Sequence, residues 1–182
     1  MIVYFCQNGK QKDNDMKKLI KDYSYTEEEL RQIVLAYDRD YIEGLGMAPN
    51  NTNTHQVIQT DILQNYLLKF GRRDILTETR LSDDVRITPD ISVWEKIDRK
   101  GRTATPENPL LTIEITHNIR NDRYSEKNVY ASFKYFPSLQ EAFVYNYDSD
   151  VWVRYWRTDR GVEKESGKDF SRLLGCYLHT LL

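Results

Sequence analysis

The chain has 182 residues, of which 40% are hydrophobic and 30% are charged. This length and apolar content suit one folded domain and exclude a globally disordered chain. The net charge is −2, and the sequence pI of about 6.0 excludes an overall basic field. Binding to nucleic acid would therefore depend on a local basic patch or a metal ion.

The two cysteines, Cys6 and Cys176, lie near opposite ends of the chain and form no CxxC motif. With only three histidines beside them, they are too few and too dispersed for a zinc cluster. We expect a reduced, cytoplasmic setting. The apolar opening, residues 1–6, is too short to cross a bilayer and lacks the features of a signal peptide, so we expect no membrane partner.

The N-terminal third predicts an arm, a short helix and a broken strand. Residues 7–22 are polar and lysine-rich, so we predict an N-terminal arm over residues 1–24 before a single domain over residues 25–182. Thr26 and Glu29 have the spacing of a capping box, and the stripe after them predicts a helix over residues 27–37. The segment 38–47 contains two glycines and predicts a strand or hairpin piece.

The clearest helix begins at Asn53 or Thr54 and ends before Gly71, which is placed to stop it. Its apolar positions recur at helical spacing: Val57, Ile58, Ile62, Leu63, Tyr66, Leu67 and Phe70. Short strands are then predicted over residues 75–79 and 85–87, around a charged turn, and a further strand over residues 90–94.

The second half predicts a central strand, a helix and a hairpin. After a charged loop over residues 95–109, the run 110–116 is apolar on both faces apart from Glu114 and its threonines, which is typical of a central strand. A helix over residues 123–136 ends before Pro137. Strands over residues 141–146 and 151–157 form a hairpin, and the tail 161–182 adds a last strand or a short helix. The whole order predicts one α/β or α+β domain.

Glu114 is an acidic residue within an apolar run, where burial is costly unless the acid is paired, hydrogen-bonded or metal-bound. If the strands predicted over residues 90–94 and 110–116 are neighbours, Asp90 at the start of the first lies near Glu114 in the second. Adjacent carboxylates repel, and a divalent cation between them removes that cost. Such oxygen ligands suit Mg²⁺, and the backbone carbonyl of Ile115 could be a further ligand. The alternative is a buried ion pair of Glu114 with Arg80 or Arg86.

Four further groups have both a functional and an ordinary interpretation. Lys127, on the helix after the Glu114 strand, could orient an attacking water or be a solvated helix lysine. His55 could serve the site or cap its helix, and Glu43 could contact a metal or be a solvated strand-edge acid. The aromatic residues of the hairpin could stack on bases, although their alternating spacing favours core packing.

These residues together resemble a known family. The residues that carry the resemblance are, in order, Pro89, Asp90, Glu114, Ile115, Thr116, Asp122, Lys127 and Tyr130. Their order is similar to that of the Uma-type family of restriction endonucleases, within the PD-(D/E)XK nuclease superfamily, and the similarity covers about residues 25–156. Two positions depart from the pattern. Thr116 stands where the superfamily usually has a lysine, and Leu45 stands where the family often has an acid after Gly44.

The resemblance implies a restriction-endonuclease-like core, which is a mixed central β-sheet flanked by helices with a metal site at one end of the sheet. It implies hydrolysis of DNA phosphodiester bonds with Mg²⁺, or with Mn²⁺ in its place, and a homodimer would cut both strands. The implied site consists of Asp90, Glu114 and Lys127 as catalytic groups, Asp90, Glu114 and the Ile115 carbonyl as metal ligands, and Glu43, His55 and Thr116 as accessory groups. The alternative is a catalytically inactive member of the fold that binds nucleic acid or a protein, which the missing lysine at Thr116 favours.

Overall fold

The computed structural model describes residues 53–82, 87–97, 107–117 and 119–182, apart from the side chains of residues 107 and 119–124. The predicted arm, the helix over residues 27–37 and the segment with Glu43 lie outside the described residues. The elements of the described part are α1 (Asn53–Phe70), β1 (Ile75–Thr77), β2 (Ile91–Lys96), β3 (Glu107–Thr116), α2 (Ile119–Tyr135), β4 (Glu141–Asn146), β5 (Val151–Thr158), β6 (Gly161–Ser166), β7 (Phe170–Ser171), β8 (Cys176–Tyr177) and a 3₁₀ helix (Leu178–Leu181).

The first six strands of the described residues form one mixed sheet in the order β1-β2-β3-β4-β5-β6. Strands β3 and β4 are parallel and are joined through α2, whereas the other neighbouring pairs are antiparallel. Strand β3 therefore lies inside the sheet, between β2 and β4, as its two apolar faces predict. The prediction of a mixed α/β domain with a central sheet is confirmed at this level.

Helix α1 begins and ends where the sequence predicts. It ends at Phe70, and Gly71 follows with a φ of +63°, a left-handed conformation that glycine adopts without a steric penalty. The N–H of Gly71 donates to the carbonyl of Leu67 at 3.0 Å and closes the last turn. The buried residues of α1 are His55, Gln59, Ile62 and Tyr66. Its buried face is thus apolar toward the C-terminus and polar at the first turns.

The sheet is covered on both faces. Successive strand residues point to opposite faces, so each buried strand contributes to two cores. One core lies on the α1 side and includes Ile62, Tyr66, Ile91, Val93, Ile113, Ile115 and Phe143. The other lies on the α2 side and includes Trp94, Val129, Phe133, Ala142, Val144 and Tyr155. Beyond the register shift of this strand pair, the even-numbered residues 112–116 of β3, among them Glu114, therefore lie on the α2 side of the sheet.

The limits of several elements differ from the prediction. The charged loop predicted over residues 95–109 is shorter at both ends, because Lys96 pairs with Glu107 and the ladder between β2 and β3 extends into polar sequence. Strand β1 ends at Thr77, Ile87 lies outside any strand, and α2 begins at Ile119 rather than at residue 123. Backbone pairing, and not polar composition, decides where the ladder between β2 and β3 ends.

The predicted hairpin of β4 and β5 is confirmed, and its aromatic residues are buried except for Trp156, which is half-buried. Tyr145 and Trp152 stack with their ring centroids 4.4 Å apart, and both are buried. The packing interpretation therefore holds for them, because buried rings offer no face to a nucleic acid base.

After β6, the C-terminal segment returns to the sheet, where the carboxylate of Glu141 accepts hydrogen bonds from the Ser171 hydroxyl at 2.6 Å and the N–H of Arg172 at 3.0 Å.

Candidate functional site

Asp90 lies directly before β2, opposite Glu114 of β3. The last paired residues of the two strands are Ile91 and Ile113, so Asp90 and Glu114 occupy the next step of the same antiparallel register. The charge of Asp90 acts on the carboxyl of Glu114, and the Asp90 carboxylate accepts a hydrogen bond from the N–H of Ile115, the residue after Glu114. The prediction that these two strands are neighbours is confirmed, and it brings the two acids to one end of the sheet.

Four groups hold Asp90 in place. Its Oδ2 accepts a hydrogen bond from the N–H of Ile115 at 2.6 Å, and its Oδ1 lies 3.1 Å from Nε2 of His55. Its main-chain oxygen accepts a bond from the side-chain amide of Gln59 at 2.7 Å and another from the N–H of Glu78 at 3.0 Å. Both carboxylate oxygens and the carbonyl therefore have fixed partners.

Pro89 explains why Ile115 bonds to a side chain at this point. The register that pairs Ile91 with Ile113 would pair Pro89 with Ile115 two steps further. The carbonyl of Thr116 accepts a bond from Tyr147 after β4, so the backbone groups of Ile115 point the other way, toward β2. Proline has no N–H to donate, and the backbone ladder stops there. The Ile115 carbonyl therefore faces the Asp90 end of the site without a ladder donor from Pro89.

Glu114 is buried, with an exposed fraction of 7%. Burial and the negative charge of Asp90 both raise the pKa of the Glu114 carboxyl well above its ordinary value. None of the ion pairs among the described residues includes Glu114, so the alternative pairing with Arg80 does not occur, and Arg86 lies outside the described residues. A buried acid beside a second acid is the unusual chemical feature of this site.

The donor set fits a hard divalent cation. Two carboxylates and one backbone carbonyl are oxygen ligands, and Mg²⁺ typically takes one or two protein carboxylates and keeps several waters. A cation between Asp90 and Glu114 would remove the repulsion that raises the Glu114 pKa. Over the described ranges, no group of three or more His, Cys, Asp or Glu side chains is arranged to hold a metal ion. Asp90 and Glu114 would supply two carboxylates, and waters would complete the coordination of such an ion.

His55 is bonded to the site and is not a surface cap. Burial disfavours its charged form, but the hydrogen bond and charge of Asp90, together with the charge of Glu78, raise its pKa above the ordinary 6.5. Its Nε2 must carry a proton to donate to Asp90, an assignment that follows from the geometry. The imidazole thus supplies a proton donor, and in its charged form a positive charge, beside the carboxylate pair.

The remaining predicted residues differ in how far the structure places them. Thr116 shares the face of Glu114, and its hydroxyl oxygen is buried without a hydrogen-bond partner among the described residues. Lys127 is half-buried in the middle of α2, the helix that packs on β3 and β4. The approach of its amine to the two carboxylates stays a prediction. Glu43 lies outside the described residues.

Gln59 is the residue of this site that the sequence pattern did not identify. The apolar periodicity of α1 includes Val57, although this residue is 57% exposed, and leaves out the buried Gln59. The available signal was the spacing of His55 and Gln59, four residues apart and so on one helix face. Polar residues at that spacing on a core-facing stripe indicate a polar partner in the sheet.

No protein-family model matches this chain, and a comparison with curated proteins also finds no match. The family resemblance therefore rests on the sequence motifs, and functional inference rests on the geometry of the site. No helix in the described part of the chain combines the length and apolar character needed to cross a membrane.

Proposed function

We propose that this protein is a Mg²⁺-dependent DNA endonuclease with a restriction-endonuclease-like core, and that Mn²⁺ can replace Mg²⁺. The observation that carries the proposal is the pair of Asp90 and buried Glu114 at one end of adjacent strands, with the Glu114 pKa raised by burial and by the charge of Asp90. A mixed sheet with α1 on one side and α2 on the other is consistent with the core that the resemblance implies.

Asp90, Glu114 and the Ile115 carbonyl would hold the ion. A bound Mg²⁺ supplies Lewis acidity toward a phosphoryl oxygen and toward water. The protein residues then have separate tasks. His55 and the N–H of Ile115 orient the Asp90 carboxylate, and Lys127 would orient the attacking water or stabilise the negative charge that develops on the phosphate.

The DNA partner would be bound through local contacts. The net charge of −2 supplies no general attraction to a polyanion, so phosphate contacts must come from individual basic side chains and the metal ion. A homodimer would place two copies of the site on opposite strands of a duplex. Such binding weakens steeply with added salt, because phosphate contacts release counterions.

The proposal is tested with the full chain, Mg²⁺ calorimetry and cleavage of plasmid DNA. We expect Asp90→Asn and Glu114→Gln to lose both metal binding and cleavage. The matched control is Asp74→Asn, because Asp74 also precedes a strand and accepts a hydrogen bond, here from the Tyr66 hydroxyl at 2.8 Å. The proposal is refuted if the wild type binds no divalent ion and any cleavage persists in the Asp90 variant.

A specific observation favours the second candidate, a catalytically inactive binding module. Both oxygens of Asp90 already accept hydrogen bonds, and Thr116 stands where the superfamily usually has its lysine. This alternative predicts nucleic acid or protein binding that Glu114→Gln leaves intact, without cleavage in Mg²⁺ or Mn²⁺. Cleavage that depends on Glu114 would exclude it.

A further inference from the structure

Two polar residues on the buried face of α1, His55 and Gln59, bond to the same residue of the sheet. Nε2 of His55 lies 3.1 Å from Oδ1 of Asp90, and Nε2 of Gln59 lies 2.7 Å from the main-chain oxygen of Asp90. The two contacts differ in kind, since one reaches the carboxylate and the other reaches the backbone that carries it.

We infer that His55 and Gln59 form a pair of positioning residues that hold Asp90 in the orientation needed to bind a divalent cation. This inference rests on the proposed function, because it assigns the pair a task in the same site. It adds a role for α1, which contributes no ligand of its own to the proposed metal centre.

The pair is part of the folded core and not a surface contact. His55 and Gln59 are 4% and 5% exposed, which makes an unsatisfied polar group at either position costly. They are four residues apart, so they project from one face of α1. Further along that face, Ile62 and Tyr66 are packed in the core with Ile91, the residue after Asp90. The apolar end of α1 thus anchors the helix, and its polar end reaches Asp90.

The contacts restrain the carboxylate without occupying it fully. Each carboxylate oxygen can accept about two bonds. His55 engages Oδ1 and the N–H of Ile115 engages Oδ2, so the plane of the carboxylate is set and lone pairs remain for a cation. Groups that orient a metal ligand in this way typically change metal affinity by about 10–100-fold when they are removed.

The backbone at Asp90 needs support because the ladder with β3 stops at Pro89, which has no N–H. The carbonyl of Asp90 accepts bonds from Gln59 and from the N–H of Glu78. Glu78 has a φ of +45°, in the left-handed region that non-glycine residues seldom adopt. The chain thus accepts an unfavourable backbone conformation at a residue that bonds to Asp90, as is common where function requires a fixed geometry.

The test uses the full chain and measures Mg²⁺ and Mn²⁺ dissociation constants by calorimetry, with folding checked by circular dichroism. We expect His55→Ala to weaken metal binding by about 10–100-fold and Gln59→Ala to weaken it by about tenfold. His55→Gln should recover part of the affinity, because its amide can donate to Asp90. The matched control is His179→Ala, which removes a second histidine–aspartate pair, with Asp169, on the C-terminal segment.

The outcomes separate the inference from the proposed function. Three results together would support the positioning role: weaker metal binding in His55→Ala, partial recovery in His55→Gln and normal binding in His179→Ala. If His55 were only a structural contact, metal affinity would not depend on whether the residue at position 55 can donate a hydrogen bond. If His55→Ala does not fold, unchanged affinity in Gln59→Ala overturns the inference. Binding that is lost in Asp90→Asn but unchanged in His55→Ala overturns the inference alone. A wild type that binds no divalent ion overturns both.

Discussion

Replacing Glu114 with glutamine should change how the stability of the metal-free protein depends on pH. Burial and the charge of Asp90 raise the pKa of Glu114 well above its ordinary 4.5 in the folded state. The folded protein therefore keeps a proton that the unfolded chain has already released. Stability from this group is fully present below the unfolded pKa and is lost as the pH rises through the folded pKa.

The size of this pH dependence follows from the one proton that folded Glu114 keeps and the unfolded chain releases. Between pH 4.5 and the raised folded pKa, the free energy of unfolding of the wild type should fall by about 1.4 kcal/mol per pH unit through Glu114. Glutamine cannot ionise, so this slope is absent in the variant. The pKa of His55 is also raised and gives a slope of the same sign above pH 6.5, but both proteins contain His55 and its contribution cancels in their difference.

The assay is urea unfolding at a series of pH values from about 4 to 8, first without metal and then with saturating Mg²⁺. With metal at about 100 times its dissociation constant, the wild type should gain about 2.7 kcal/mol, and the Glu114→Gln variant should gain much less. The matched control is Glu163→Gln at an exposed position of β6, which should follow the wild type. Parallel pH curves for the wild type and Glu114→Gln would refute the argument, because they would show that Glu114 keeps its ordinary pKa in the folded protein.

Three further predictions concern neighbouring features. Glu141→Gln should lower the free energy of unfolding, measured in urea, by about 3–5 kcal/mol, because it leaves Arg154 as a buried charge without its carboxylate. A loss below about 1 kcal/mol would contradict this prediction. Thr116→Val should raise the free energy of unfolding by about 1 kcal/mol in thermal unfolding, because the substitution removes a buried hydroxyl with no partner in the described residues. Destabilisation of this variant would instead reveal a partner elsewhere in the chain. Lys127→Met should reduce DNA cleavage by about 10²–10³-fold with little change in metal affinity, and an equal loss of both would assign Lys127 to metal binding instead.

Periodicity in the sequence predicts most of the described elements. Helix α1, strand β3 and the hairpin of β4 and β5 lie where their apolar spacing and turn residues place them. The ends of β2 and β3 were harder to predict, because Lys96 and Glu107 are polar and become strand residues only by pairing with each other. Local composition contains no information on such pairing.

The candidate site was predictable in part. An acid in an apolar strand and a second acid after a proline identify Glu114 and Asp90 from residue type alone. The bond from Gln59 to Asp90 spans 31 positions in sequence and depends on how α1 packs on the sheet. Long-range contacts of this kind follow from the packing of whole elements, and the residue pattern of one stretch of chain does not predict them.

Pro89 illustrates which properties of the site the sequence determines and which depend on the tertiary structure. The sequence by itself determined that this residue has no N–H and that an acid follows it. Only the tertiary structure decided which backbone group loses its ladder donor, because the register that pairs Ile91 with Ile113 would bring Ile115 opposite Pro89 if it continued. The sequence likewise determined that Glu114 is an acid among apolar residues, whereas its proximity to Asp90 depends on strand pairing. Residue chemistry is local, but the partner that each group meets is set by the alignment of distant segments.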